Sequence, residues 1–475
     1  MSSEPAAETA HAPIALPGNA WNLLEGVWPA TAPTVSVVVV HYRQQNELDR
    51  TLAALARQTH PADRTQIIVV DDGSPEPPSV PEGVLVLCQA DAGFRASAAR
   101  NLGAASATGD VLCFLDADTA PEPDYLRAIT RLPGLAPDVV TVGARRHADF
   151  TGLPPGAPVE EVAPARELPA PAWLIDEYVR SANLLHSDDR SYRFVIGAVV
   201  CCSRSLFTTV GGFDESFTSY GGEDWEWAHR AWSEGALFAH VPDAIAWHDG
   251  PEWVARTADL DERQRAKNLE TLSLATRIPV AGAVPFALRL GAQAPAVEVR
   301  IAAADSLAAL LIAVDSLLTA LPLATVAVPA EFFDSLAPDA RISLLPTPLS
   351  RPSPAQLVVE LPLPVRFDAD ELRASVLRVT TKQLGSLSLT VSEVAGEVAG
   401  VSERVAGPVL EHVSESDSPQ PVALITLQRA ARREGRWGRT DLFARESTSI
   451  RARIISGEPS LAAYFGGWEP EELRP

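Results

Sequence analysis

This sequence predicts an α/β protein: a parallel-rich sheet flanked by helices, followed by a second α/β unit. Three observations predict it. From residue 34 onward, apolar strand-like runs alternate with helical stretches, the pattern of strands joined by crossover helices. Several of these runs end in polar residues, as strands do where an open sheet meets a ligand at its carboxyl edge. Finally, QLVVELPLPVRFDADELRA (356–374) lines up without a gap on DVLCFLDADTAPEPDYLRA (110–128).

Composition sets the outer bounds. The chain has 475 residues, too many for one ordinary core, so two domains are expected. Apolar residues at 46% and charged residues at 21% suit a globular protein. The net charge of −22 speaks against nucleic acid as a partner, because phosphate binding needs clustered Lys and Arg. An anionic substrate would need a metal ion or a locally positive site. With two lysines among 39 basic residues, that charge must come from arginine. Cys88, Cys113, Cys201 and Cys202 lack metal-ligand spacing and lie in apolar runs, so reduced core thiols are expected. The most apolar segment, 305–328, is interrupted by Asp315 and Pro322. It falls short of the roughly 20 uninterrupted apolar residues of a membrane helix, so a core helix and strand are expected there. No signal-peptide pattern opens the sequence, and a cytoplasmic location is the expectation.

In chain order, residues 1–32, rich in Ala, Pro and Glu, read as a weakly ordered arm docked by Trp21, Leu23, Leu24 and Trp28. TVSVVVVHY (34–42) reads as a buried strand, and the next helix carries Leu48, Leu52 and Leu55 at i, i+4 and i+7. QIIVVDD (66–72) and GVLVLC (83–88) are strands, 96–107 suits a helix, and 110–115 is a strand. Pro121 sits where the following helix would start. Residues 151–172 form a Pro-rich loop over the strand ends, and a helix follows near 173–185. Then come RFVIGAVVCCSRSLF, GGFDESF and GGEDWEWAHRAW, the last with a core stripe of Trp225, Ala228 and Trp232. A charged helix around 252–275 closes a first unit spanning 33–280, and 276–290 lead into a second, 291–475.

The stretch GDVLCFLDADTAPEPDYL (109–126) concentrates the chemistry. Its strand ends in Asp116-Ala-Asp118, two carboxylates leaving on one face. Buried without partners they would repel each other and suffer desolvation. A hard divalent cation, Mn2+ or Mg2+, resolves both problems and can hold substrate phosphates. Loop-capping aspartates ahead of Pro121 are the plainer alternative.

VSVVVVHYRQQNELDRTLAAL, IIVVDDGSPEP, ASAARNLGAASATGDVLCFLDAD and GGEDWEWAHRAW occur in this order. Together they resemble the family 2 glycosyltransferases over roughly residues 34–250. Residues 195–248 resemble more narrowly the carboxyl half of galactosyltransferase and chondroitin-synthase-type domains. The resemblance implies a GT-A fold, with a mixed sheet flanked by helices, and a nucleotide-sugar donor, preferentially UDP-linked. It places Asp116 and Asp118 on the metal and, through it, on the donor diphosphate. Asp72, with Asp71 beside it, would accept the N–H of a uracil-like base, and Tyr42 would stack on that base. Tyr42 and Asp71 keep a second reading as strand-end packing and turn residues. Arg95 and Arg100 would face the diphosphate, where arginine's donor fork neutralises charge. Asp224 would be the base that deprotonates the acceptor, opposite the leaving diphosphate, as inverting transfer requires. Glu223 would contact the acceptor or orient its neighbour, although acids in a first helical turn also simply suit the helix dipole. His248 would complete the metal site through neutral imidazole. Trp225 and Trp247 are open to two readings, a sugar platform or core packing.

In the second half, Pro362-Leu-Pro364 stands at the position of Asp116-Ala-Asp118. ALITLQRA (423–430) resembles AVVCCSRS (198–205), and Asp441 falls loosely where Asp224 stands. This reads as a degenerate GT-A-like domain without a metal site, serving packing, dimerisation or acceptor binding. The whole reads as a metal-dependent, inverting glycosyltransferase acting on a hydroxyl of a saccharide or glycolipid. Peripheral membrane contact and a homodimer through the second unit are compatible with it. A catalytically silent, nucleotide-sugar-binding scaffold is the alternative, against which the intact Asp116, Asp118, Asp224 and His248 speak. A nucleotidyltransferase would carry a Gly-rich basic loop where this chain has HYRQQNELD.

Overall fold

Runs such as Val35–His41 are mostly apolar because the strand they form is buried on both faces, with helices packed on either side of the sheet. The computed structural model describes residues 12–219, 221–251, 260–280, 282–284, 296–349, 353–391 and 421–466. The chain divides into two units, Met1–Gly291 and Ala292–Pro475.

The first unit opens with β1 (Val35–His41), α1 (Gln45–Leu55), β2 (Thr65–Asp71), β3 (Leu85–Cys88), α2 (Ala96–Ala105) and β4 (Val111–Asp116). These four strands run parallel. There follow β5 (Thr119–Pro121), α3 (Tyr125–Ile129), α4 (Arg131–Leu135), β6 (Val139–Ala148), α5 (Val159–Val162), β7 (Glu167–Leu168) and α6 (Ala172–Arg180). The unit closes with β8 (Val199–Ser203), α7 (Arg204–Val210), α8 (Glu223–Ser233), β9 (Leu237–Asp249) and α9 (Leu260–Ala275). One mixed sheet results, ordered β3-β2-β1-β4-β8-β6-β9-β5, with β7 beside β6. β8 is antiparallel to both neighbours, β6 and β9 are parallel, and β5 is antiparallel to the end of β9. This is the mixed α/β sheet expected of a GT-A fold. Val37, Val38, Val39, Ile68 and Phe114 are fully buried, each contributing about 1.5–3 kcal/mol. Leu48, Leu52 and Leu55 form the expected buried stripe of α1.

Several expectations need correction. Pro121 lies in β5 at the sheet edge, where a missing N–H is tolerated, and the helix begins at Tyr125. The core face of α8 runs through Trp227, Ala228, Ala231 and Trp232, because Trp227 packs on Phe213 and Phe207 at 5.3 and 6.0 Å. Trp225 is only half-buried. Trp247 is fully buried and donates its indole N–H to Glu122 at 2.8 Å, so it packs rather than forming a sugar platform. Cys113, Cys201 and Cys202 are buried free thiols, but Cys88 is exposed at the end of β3. The loop at 151–172 contains α5 and β7, and Val159 and Ala163 pack with Phe150 and Trp247.

Of the amino-terminal arm, residues 1–11 lie outside the described residues, and 12–32 are docked rather than loose. Leu16 and Leu24 are buried against Leu132, Leu135 and Val139. The Asn19 amide donates to the carbonyls of Leu184, Leu185 and Phe238. Leu23 stays 60% exposed. The parts of the charged helix and the join at 252–259, 281 and 285–290 lie outside the described residues.

The second unit comprises β10 (Val297–Ile301), α10 (Leu307–Ala320), β11 (Thr325–Val328), α11 (Ala330–Leu336), β12 (Ile342–Leu344) and β13 (Leu357–Leu361). Then come β14 (Val365–Phe367), α12 (Ala369–Lys382), β15 (Ser386–Val391), β16 (Pro421–Leu427), α13 (Gln428–Trp437), β17 (Arg445–Ile450), β18 (Ala452–Ile454) and α14 (Leu461–Tyr464). Its sheet order, β12-β11-β10-β13-β16-β15-β17, repeats β3-β2-β1-β4-β8-β6-β9 strand for strand. The senses repeat as well: parallel through β13, antiparallel on both sides of β16, parallel from β15 to β17. Even the short β14–β18 pair matches β5 on β9. The alignment of 423–430 on 198–205 is one residue out. Val111 faces Ser203 and Leu357 faces Leu427, so Ser203 corresponds to Leu427. Asp441 does not take the place of Asp224. It lies exposed between α13 and β17, paired with Arg439 at 2.6 Å, and among the described residues no helix like α8 follows α13. Nor is any helix among the described residues long and apolar enough to cross a membrane.

Candidate active site

Because β1, β2 and β4 are parallel, their carboxyl ends open on one edge. A cleft of about 620 Å³ there is lined by Tyr42, Asp72, Arg100, Asp116, Asp118, Glu223 and Asp224. Asp71, Arg95 and His248 do not line it.

At one end, Asp72 is buried and fixed. Its carboxylate accepts from the Gln89 amide at 2.5 Å and from the Arg95 backbone N–H at 2.9 Å. Tyr42 keeps 38% exposure, with the Arg43 guanidinium 4.7 Å from its ring centre. Neighbouring strand residues point to opposite faces, so Asp71 turns away from the cleft. Asp71 accepts from the Ser74 hydroxyl at 2.6 Å, the Ser74 N–H at 2.9 Å and His41 Nδ1 at 2.8 Å. His41 Nε2 accepts the Gln44 N–H at 3.2 Å, which leaves the proton on Nδ1. Asp71 therefore ties the ends of β1 and β2 together, which is its strand-end reading rather than the base-binding one. Arg95 is also displaced from its expected place. Its guanidinium lies 4.0 Å from Glu215, and only its backbone N–H serves the site.

The centre is a charge network around Arg100, which α2 delivers from its buried face. Arg100 donates to Asp116 Oδ1 at 3.0 Å and to Glu223 Oε1 at 3.1 Å, and it lies over the Phe213 ring at 5.3 Å. Burial opposes its charge, yet Asp116, Glu223 and Asp224 hold the guanidinium protonated well above its ordinary range.

Asp224 sits at the opening of α8, after Gly222 takes up a left-handed φ of 94°. Its carboxylate accepts from the Gly197 N–H at 3.0 Å and the Trp225 N–H at 2.8 Å. Only glycine allows this approach easily, since a Cβ on Gly197 would lie 3.2 Å from the Asp224 Cβ. Burial first, and then the neighbouring Glu223 charge, push the Asp224 carboxyl up to about 7. A carboxylate poised there can take a proton near neutral pH.

At the rim, Asp118 accepts 3.3 Å hydrogen bonds from the Gln44 amide and Thr119, and His248 Nε2 lies 3.4 Å from it. His248 reaches this point because Thr119 and His248 are directly paired across β5 and β9. Its Nδ1 lies 3.4 Å from the Gly250 carbonyl, which leaves Nε2 to face the carboxylate. Two carboxylates and an imidazole at one edge suit Mn2+ or Mg2+. Among the described residues they do not form a three-ligand cluster, and Asp116 Oδ1 accepts from Arg100.

Among the further cleft residues, Gln44, Arg145 and Gly197 escaped the sequence reading. Gln44 is the residue just ahead of α1 at the exit of β1. Arg145 breaks the apolar run of β6, a signal present in VVTVGARRHA. Gly197 had no local signal, since its role exists only against Asp224.

Sequence comparison matches residues 36–155 to the model of glycosyl transferase family 2 and residues 179–246 to that of the N-terminal domain of galactosyltransferase. Chondroitin synthase from Escherichia coli is 28% identical over 270 residues, covering 52% of this chain and 38% of that protein. Validoxylamine A glucosyltransferase from Streptomyces hygroscopicus subsp. limoneus is 31% identical over 222 residues, covering 43% of this chain and 49% of its own. The chain thus spans less than half the length of these two relatives. Among solved structures, the mannosyltransferase PcManGT from Pyrobaculum calidifontis, in complex with GDP-Man and Mn2+, is 17% identical with a TM-score of 0.35. That likeness covers 56% of this chain and 65% of that one. Residues 36–155 of this chain belong to glycosyl transferase family 2.

Proposed function

We propose that the first unit transfers a sugar, with inversion, from a nucleotide-diphospho-sugar to an acceptor hydroxyl on a saccharide or glycolipid. A UDP-sugar is the donor that suits Asp72, whose buried carboxylate can accept the base N–H beneath the exposed Tyr42 ring. Asp116, Asp118 and His248 would hold Mn2+ or Mg2+, which when bound neutralises the charge of the leaving diphosphate. Asp116 Oδ1 accepts from Arg100, which leaves Oδ2 for the metal, and the guanidinium beside it would add positive charge toward the diphosphate. The acceptor oxygen bonds to the anomeric carbon from the face opposite the breaking carbon–oxygen bond to the diphosphate. Asp224 takes the acceptor proton, and Glu223 orients the acceptor beside it. The Gly197 N–H keeps the Asp224 carboxylate aimed while it changes charge.

One observation carries the reading: the Asp224 carboxyl at the opening of α8, raised to about 7, shares a single cleft with the fixed Asp72 carboxylate at the end of β2. The relatives' names, a chondroitin synthase and a glucosyltransferase, support sugar transfer. The test is a panel of nucleotide-sugars scored for Mn2+-dependent release of nucleoside diphosphate, with the product anomer read by NMR. Release that persists in EDTA, or a product of retained configuration, would overturn it.

A further inference from the structure

We infer that the second unit is a copy of the transferase fold whose donor cleft has been dismantled and closed by its own carboxyl-terminal strap, leaving one donor site per chain. The inference rests on the donor reading of the first unit and concerns residues that neither family match covers.

The register makes the comparison residue by residue. β10 pairs with β13 as β1 pairs with β4, Val297 with Leu357 as Val35 with Val111. Counting on from β13, Pro362 and Pro364 take the positions of Asp116 and Asp118. β14 then begins at Val365 as β5 begins at Thr119, with no gap between. Thr119 faces His248, while Val365 faces Ile454. All three candidate ligand positions therefore hold side chains that cannot bind a metal ion. Among its described residues the connection from β12 to β13 holds no helix like α2, which carries Arg100 in the first unit. The helix that carries Asp224 is likewise missing between α13 and β17.

The entrance is also filled. β1 and β10 run to the helix caps Gln44 and Ser306 over equal lengths of chain, so Arg43 and Gln44 correspond to Asp305 and Ser306. In the first unit, Arg43 and Gln44 line the cleft, and the residues that would correspond to 458–465 lie outside the described residues. In the second, chain leaving β18 crosses this place. The Ile455 N–H donates to the carbonyl of Pro364 at 2.9 Å, as the Asp249 N–H does to that of Asp118 in the first unit, and the Gly457 N–H goes on to the Asp305 carboxylate at 2.9 Å. The Ser306 hydroxyl donates to the Gly457 carbonyl at 2.6 Å, and the Tyr464 hydroxyl to Asp315 at 2.7 Å. The side chains of Asp305 and Ser306, at the places of Arg43 and Gln44, are thus taken up by the backbone of Gly457.

The test is hydrogen–deuterium exchange of the full chain with UDP and Mn2+, together with calorimetric stoichiometry. One UDP per chain is expected, with protection at 40–44, 116–118 and 221–225 and unchanged exchange at 302–306, 362–364 and 455–464. Two UDP per chain, or protection of the second set, would overturn the inference while leaving the first unit's donor reading intact. Protection of neither set would remove the donor reading, and this inference with it. In Asp118→Asn all UDP binding that needs Mn2+ should disappear; a remaining Mn2+-dependent site would place donor binding in the second unit.

Discussion

Where β4 ends, the first unit presents Asp116 and Asp118; where β13 ends, the second presents Pro362 and Pro364. Both strands are buried, and both lie between a parallel neighbour and an antiparallel one. The sheet tolerates either ending because its stability comes from apolar side chains within the strands rather than from the residues just beyond them. On the proposed reading fold and chemistry are separable in this molecule, and a handful of exit-edge positions would distinguish a site from its absence.

That contrast can be broken most directly at the metal positions. Asp118→Ala should abolish transfer and the Mn2+ dependence of UDP binding, whereas Pro364→Ala should leave both as they are. Equilibrium titration with UDP and Mn2+ reads each variant, and residual Mn2+-dependent transfer in Asp118→Ala would remove that residue from the site. Next in size is Asp224→Asn, which keeps the shape but cannot accept a proton. Transfer should fall roughly 10²–10⁴-fold with UDP affinity kept, and steady-state rates beside a binding isotherm separate the two. Parent activity should decline as pH falls through about 7, because the base is then protonated. The sign for stability is the reverse. A carboxyl raised from 3.8 to about 7 by folding makes the native state favour the proton, so this group's contribution weakens as pH rises from 4 to 7. A flat rate profile across that range would exclude Asp224 as the base.

Smaller is the effect expected at Tyr42. Losing a stacking ring costs about 1–3 kcal/mol of base binding, so Tyr42→Ala should weaken UDP roughly 5–150-fold, and Tyr42→Phe should do little. Equal affinity in Tyr42→Ala would return the residue to strand-end packing. The smallest effect belongs to Asp441→Asn. Exposed and paired with Arg439, Asp441 should leave transfer rate and Tm unchanged when substituted. A loss of activity there would give the second unit a chemical role.

Much of this was legible locally. The runs around Val37, Ile68 and Leu112 mark buried parallel strands because such strands are apolar on both faces. The repeat was visible in 356–374 because an ungapped match carries strand, turn and helix together. Acids at strand exits marked the cleft edge, since sheet strands end there by construction. Legibility ended at phase. Asp71 and Asp72 are adjacent acids at one strand end, yet only Asp72 faces the cleft, while His41 and Ser74 claim the other. Trp225 and Trp227 both lie on α8, and Phe213 and Phe207 selected Trp227 for the core.

From the chain alone follow the alternation of elements, the doubled architecture and the short roster of acids, arginines and histidine able to do chemistry, because period and composition are local properties. Which of them meet is not local. Arg100 finds Glu223 and Asp116, Asp224 finds Gly197, and His248 finds Asp118 only through crossovers that bring distant strand ends to one edge. The raised Asp224 carboxyl and the strap over Asp305 likewise exist only there, since desolvation and closure are properties of surroundings that no single segment carries.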